Sequence, residues 1–245
     1  MSVSSLEMMV ALDDWLQTPA GRYCVTWEQR WIDSVVPDLF GFRAVQLGTR
    51  WVDGLKENRI PHKAYVHEAA VFQPDCLACF EDMPFDSQSL DLLVMPHVLE
   101  FSQDPHQLLR EVERVLMPEG RVVLTGFNPL SLWGARHEVF KRWASVWPKG
   151  CKPIHLWRLK DWLKLLSVEP ELGRFGCYRF PMNTESGLAR MGFLEKAGDR
   201  WWPMCGAVYA VCAVKRVRGM RLVGPHFKSK RLPAVGQLKP AGHKA

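Results

Sequence analysis

The sequence contains no run approaching 18 apolar residues. It opens, MSVSSLEMMVALDDW, without a basic segment and with acids at Glu7, Asp13 and Asp14. Neither a membrane span nor a secretory leader is therefore expected. Seven cysteines, an odd number scattered among predicted strands and loops, do not make a disulfide framework at this size, so a reducing cytoplasm is the expected compartment. Cys76 and Cys79 stand at Cys-x-x-Cys spacing, but no second pair at ligand spacing follows. An alternating strand would put the two on opposite faces, and no metal is expected. Acids are missing from one end. None follows Asp199, while nine of the 32 basic residues lie from Lys215 onward, leaving residues 1–214 at a net −3 against +6 for the whole chain. Such an end reads as a solvated basic tail over 216–245, with weak nucleic-acid contact as the alternative.

What is present is an ordinary globular composition, 47% hydrophobic and 24% charged over 245 residues, enough for one α/β domain. The clearest pattern runs from Leu90 to Gly134. Leu90, Leu92, Leu93, Val94 and Met95 read as a strand buried on both faces. Asp104 caps and Pro105 opens a helix with apolar positions Leu108, Leu109, Val112, Val115 and Leu116, which Pro118 and Gly120 end. Residues 121–125 form the next strand, broken by Gly126, Asn128 and Pro129. Together these make a right-handed βαβ unit. Upstream, helices are predicted over residues 6–17, ended by Thr18-Pro19, and about 22–40, with Trp27, Trp31, Ile32 and Val35 on one stripe. Strands over 42–47, 63–67 and 76–79 follow, with room for about two helical turns at 53–58. Downstream, the pattern predicts helices over 133–147 and 156–166. A strand over 168–180, broken at Gly173 and Gly176, a helix and loop over 184–202 and a strand over 206–214 complete the chain.

The residues also carry a family resemblance. Glu81-Asp82-Met83-Pro84-Phe85, Ser89-Leu90-Asp91-Leu92-Leu93, Asp104-Pro105, Leu109-Arg110-Glu111, Arg114-Val115-Leu116, Pro118 and Gly120 resemble the central signature of class I S-adenosylmethionine (SAM)-dependent methyltransferases. The match in order and spacing covers roughly residues 76–128. With Pro105-His106, Gly126-Phe127-Asn128-Pro129, Ser131 and Gly134 added, the chain is most similar to the YafS-type branch. The resemblance implies a Rossmann-like three-layer α/β sandwich around a seven-stranded, mostly parallel sheet with an antiparallel last strand. It divides the chain into N-terminal helices over 1–41, the methyltransferase-like domain over 42–215 and the tail over 216–245.

It further implies methyl transfer from SAM to an acceptor, small molecule or macromolecule, that the sequence does not identify. By position in the family pattern, Gly48 and Thr49 form the cofactor loop after the first strand. Glu68, ending the second, would meet the ribose hydroxyls, and Cys79, Phe80 and Glu81 would lie along the adenine. Departures from the pattern are Gln46 for an acid, Arg50 and Val52 for two glycines, and Cys79 for another acid. They keep open a second reading, a catalytically inactive methyltransferase fold that binds RNA or a protein, its cofactor loop filled by Arg50 and Trp51. His97, just past the fourth strand, is the candidate proton acceptor and, with Asn128, the candidate lining of the acceptor pocket. Asn128-Pro129 follows the fifth strand rather than the fourth, so the catalytic role of the Asn-Pro-Pro-aromatic motif is not carried over.

Overall fold

Short apolar strands with both faces buried need helices above and below them. The computed structural model describes residues 5–140, 146–182 and 184–217 and has that layering. The strands are β1 Arg43–Leu47, β2 His62–His67, β3 Cys76–Leu77, β4 Leu90–Pro96, β5 Leu116–Phe127, β6 Val168–Gly176 and β7 Val208–Lys215. They form one sheet in the order β3-β2-β1-β4-β5-β7-β6. The first five run parallel, and β7, inserted between β5 and β6, is antiparallel to both. The helices are α1 Ser5–Leu16, α2 Pro19–Val35, α3 Pro105–Val115, α4 Leu132–Phe140, α5 Leu156–Leu165, α6 Glu185–Arg190 and α7 Phe193–Trp201.

Alternation along the strands divides the core. Ala44, Leu92, Val94 and Val123 face Trp31, Ile32 and Val35 of α2. Val45, Leu93, Val122 and Leu124 belong to the opposite layer with Leu108 and Val112 of α3 and Leu159 and Leu163 of α5. The capping at α3 is as the sequence predicts: Asp104 Oδ1 accepts from the His106 and Gln107 amides, each at 3.0 Å. Thr18-Pro19 follows the end of α1 as predicted and also opens the next helix. Thr18 Oγ1 accepts from Gly21 N at 3.1 Å and so starts α2.

Other local expectations are corrected. No helix forms over residues 53–58. Asn58 Nδ2 donates to the Val36 and Leu39 carbonyls at 2.8 and 3.0 Å, and these side-chain bonds hold the segment against the turn that follows α2 without helical turns of its own. β3 ends at Leu77, with Cys79 only bridged to Asp82 across a turn. β5 begins at Leu116, and its pairing with β4 jumps from Leu90↔Leu116 to Leu92↔Arg121, where Glu119 takes φ +65. β6 continues across Gly173, which pairs with Val211, and stops at Gly176. Arg216, assigned to the tail by the sequence, pairs with Glu119 and Glu171. The rest of the tail, 218–245, and residues 141–145 of the helix expected over 133–147 lie outside the described residues. Among the described residues no helix is long and apolar enough to cross a membrane.

Lys215 ends β7 at 4% exposure. Its ammonium donates to the Glu113 and Leu116 carbonyls at 2.5 and 3.0 Å and lies 2.8 Å from the Glu113 carboxylate. It thus satisfies the carbonyl end of α3, where a cation is favoured. Lys215→Met should lower the unfolding free energy by about 1–3 kcal/mol in urea titrations; an unchanged midpoint would refute that role.

Candidate active site at the carboxyl edge of the sheet

Because β1, β2, β4 and β5 are parallel, the residues after each strand meet along one edge, where ligands bind in open α/β sheets. After β1, Gly48 adopts φ +82. A Cβ there would sit 2.7 Å from Val98 Cγ2, so geometry and space both require glycine. Its amide donates to Val66 O at 3.3 Å, and its carbonyl accepts from the Tyr65 hydroxyl. Gln46, where the family pattern has an acid, holds the loop from within: Nε2 donates to Thr49 O and Val52 O at 2.7 Å each, and Oε1 accepts from Gly54 N at 2.8 Å. Thr49 is buried, its hydroxyl accepting from Trp51 N. Arg50 and Trp51 do not fill the loop. Arg50 turns outward, 4.1 Å from the Tyr65 ring centroid and 4.0 Å from Asp75, and Trp51 Nε1 donates to Asp13 of α1 at 2.6 Å.

At the end of β2, the half-buried Glu68 accepts from the Phe80 amide at 3.2 Å. Glu81 Oε1 accepts from Ser102 Oγ at 2.5 Å, and the exposed Cys79 thiol donates to Glu81 Oε2 at 3.3 Å. One ligand atom each from Glu68, Cys79 and Glu81 lies within 4.8 Å of the others. Burial nevertheless pushes the Cys79 thiol up, favouring the protonated form, which is a poor metal ligand. Phe80 is buried edge-on to His67, with ring centroids 5.8 Å apart. Burial pushes His67 down to about 4, so its ring is neutral at pH 7. Of the residues proposed from sequence, Gly48, Glu68, Phe80 and Glu81 come together at this edge. Thr49 is spent inside its own loop and Cys79 stays on the rim.

His97, expected to line an open pocket, is completely buried at φ +53. Its Nε2 lies 2.7 Å from Glu28 Oε1 of α2 and its Nδ1 lies 3.3 Å from Glu100 Oε1. The ring stacks on Phe127 at 4.0 Å. Glu28 Oε2 accepts from Thr125 Oγ1 at 3.1 Å, and Glu100 Oε1 also accepts from Phe127 N at 2.5 Å. Burial alone would lower the His97 pKa, but the two carboxylates outweigh it and hold the imidazolium form well above its usual range. Both ring N–H groups then donate, leaving no lone pair to accept a substrate proton. His97 is thus a clamp rather than the expected base. Asn128 is not a pocket wall either: its buried amide donates to the Met204 and Gly206 carbonyls at 2.8 and 2.9 Å and accepts from Leu130 N, shaping the turn after β5. Sequence reasoning missed Glu28 and Glu100. The available signal was an acid within the apolar stripe Cys24, Glu28, Trp31, Ile32 and Val35, and another acid three residues beyond His97.

Helix α1 lies across this edge. Asp13 binds Trp51, Trp15 Nε1 donates to Val146 O at 2.9 Å, and the Trp15 ring packs on Phe127 at 5.2 Å. Met8, Met9, Leu12 and Leu16 are buried in one apolar cluster with Leu47, Val98 and Leu99.

The sheet order, with β7 antiparallel between β5 and β6, is that of the class I methyltransferase fold. A family model described as a methyltransferase domain matches residues 61–124. The fold is that of class I SAM-dependent methyltransferases, and the family match covers that central part of the chain. Among curated proteins it is similar to Escherichia coli (strain K12) YafS, 28% identical over 236 residues covering 94% of this chain and 92% of YafS. It is also similar to the malonyl-[acyl-carrier protein] O-methyltransferase of Halorhodospira halophila, 33% identical over 75 residues, 30% of this chain and 24% of that one. Solved structures with the same fold include a chain from the complex of the Haloferax volcanii Trm112 methyltransferase activator with a methyltransferase. It has a TM-score of 0.60 at 13% identity, covering 86% of this chain and 99% of that one. A SAM-dependent methyltransferase from Thermotoga maritima has a TM-score of 0.58 at 17% identity, covering 80% of this chain and 91% of that one.

The raised His97 pKa has a definite sign in stability. The folded protein retains a proton that the unfolded chain releases near pH 6.5, so the stabilisation is fully present below that pH and is lost as pH rises through the folded value. Relative to the neutral variant Glu28→Gln/His97→Gln, wild-type stability should fall by about 1.4 kcal/mol per pH unit above about pH 6.5. Parallel denaturation profiles for the two proteins would contradict the assignment.

Proposed function

We propose that this chain is a SAM-dependent methyltransferase whose cofactor binds at the carboxyl edge between Gly48 and Glu68, and whose acceptor is unidentified. The observation that carries the reading is the pairing, at the ends of adjacent strands β1 and β2, of a positive-φ glycine with a half-buried carboxylate. The residues fit the nucleoside part. Glu68 would take the ribose hydroxyls, since a carboxylate suits two neighbouring donors, and Phe80 and Glu81 would border the adenine. Gly48 permits close backbone approach. When bound, SAM supplies a methyl group on a positively charged sulfonium. Alignment of donor and acceptor is the main requirement on the protein. A cytoplasmic setting is supported by the seven cysteines, all of them free.

Isothermal titration of the purified protein with SAM and S-adenosylhomocysteine tests the reading. Binding is expected, weakened by at least about tenfold in Glu68→Ala. No heat and no thermal stabilisation at millimolar ligand would refute it.

A further inference from the structure

α2 has two working faces. The stripe of Cys24, Glu28, Trp31, Ile32 and Val35 is buried, with Glu28 on His97. The opposite stripe, with Arg22, Tyr23, Thr26, Trp27 and Arg30, lines a cleft of about 610 Å³ whose other walls are β6 and its following turn, α6 and α7. A helix is about 10 Å thick, so this cleft is separate from the edge that holds Gly48, Glu68 and the clamp. Its volume is that of a small-molecule site.

The floor is aromatic and held in place. The Trp27 ring lies on Gly176 so closely that a Cβ there would be 1.9 Å from Cε2. The Tyr178 ring packs on Gly198, where a Cβ would come within 2.3 Å of Cγ, and its hydroxyl donates to Pro203 O at 2.7 Å. The Tyr23 hydroxyl donates to Glu195, whose other oxygen accepts from the Tyr178 amide at 3.2 Å.

The charges do not balance. Five cations, Arg22, Arg30, Arg174, Arg179 and Lys196, face three acids, Glu185, Glu195 and Asp199. Each acid already has a partner: Glu185 pairs with Arg22 at 2.8 Å, Asp199 with Arg174 at 3.2 Å, and Glu195 is engaged by Tyr23 and Tyr178. Among the described residues Arg30 and Lys196 have no ion-pair partner. Arg179 spans the Tyr23 ring, its guanidinium carbon 4.8 Å from the centroid, and donates from Nη1 to Leu188 O at 3.2 Å. Its Nε is buried without a hydrogen-bond partner, an unmet donor that a ligand acceptor would satisfy.

We infer that this cleft is a second ligand site, built for a small anion that carries an aromatic ring. The ring lies over Trp27 and Tyr178, and the anionic group meets Arg30, Lys196 and Arg179. The inference stands on the cleft itself and is independent of the methyl-transfer reading, since its residues are not those of the Gly48–Glu68 edge.

Phenyl phosphate is the probe, titrated calorimetrically against the full chain, with inorganic phosphate and phenol as its two halves. Phenyl phosphate should bind, each half at least about tenfold more weakly. Arg30→Ala/Lys196→Ala, two exposed positions whose loss leaves the thermal midpoint unchanged, should weaken phenyl phosphate by at least about tenfold. Absence of binding, unaltered binding in the double variant, or inorganic phosphate binding as tightly as phenyl phosphate would each overturn the site.

Discussion

The buried contact of His97 with Glu28 and Glu100 is the constraint on which the rest of the structure depends. Removing three ionisable groups from water costs several kcal/mol per ion, and a histidine at φ +53 adds about 1–3 kcal/mol of backbone strain. Such an arrangement persists only where its surroundings over-determine it. Here α2 supplies Glu28, the turn after β4 supplies His97 and Glu100, and β5 supplies Thr125 and the Phe127 amide. Sliding α2 by one residue would carry Glu28 off the imidazolium and leave its charge buried alone. The clamp therefore fixes the register of α2, and with it the placement of Tyr23, Trp27 and Arg30 on the opposite face.

The same edge shows how a loop with fewer glycines than the family pattern keeps its turn. Val52 is fully buried, and the Gln46 amide, with three bonds to residues 49–54, provides the ordering that backbone close-packing would otherwise give. A neutral amide can both donate to carbonyls and accept from an amide, which an ionised acid cannot do. Gln46 thus ties the loop together from within, next to Gly48 at the end of β1.

Much of the fold was legible because its signals are local or periodic. The Asp104-Pro105 cap, the doubly buried β4 and the amphipathic α3 and α5 need only neighbouring residues to be read. Elements held by distant side chains were not legible. Residues 53–58 look like short helix until Asn58 is seen capping carbonyls at Val36 and Leu39, and residues 117–120 leave their ladder only because β4 and β5 meet out of step. Near the proposed site, the strand pattern is enough to set Gly48 just after β1 and Glu68 just after β2. His97 was placed correctly but given the wrong chemistry, since its state depends on Glu28, 69 positions away. Only the second reading has Arg50 and Trp51 filling the loop, and nothing local reveals Tyr65 and Asp13 as their partners.

The most direct test of the clamp is nitrogen NMR of the His97 ring across pH in the folded protein. The account predicts that both ring nitrogens remain protonated and donate hydrogen bonds well above pH 6.5, with no titration near that value. A ring that loses one proton near pH 6.5 and settles into a single neutral tautomer would contradict it.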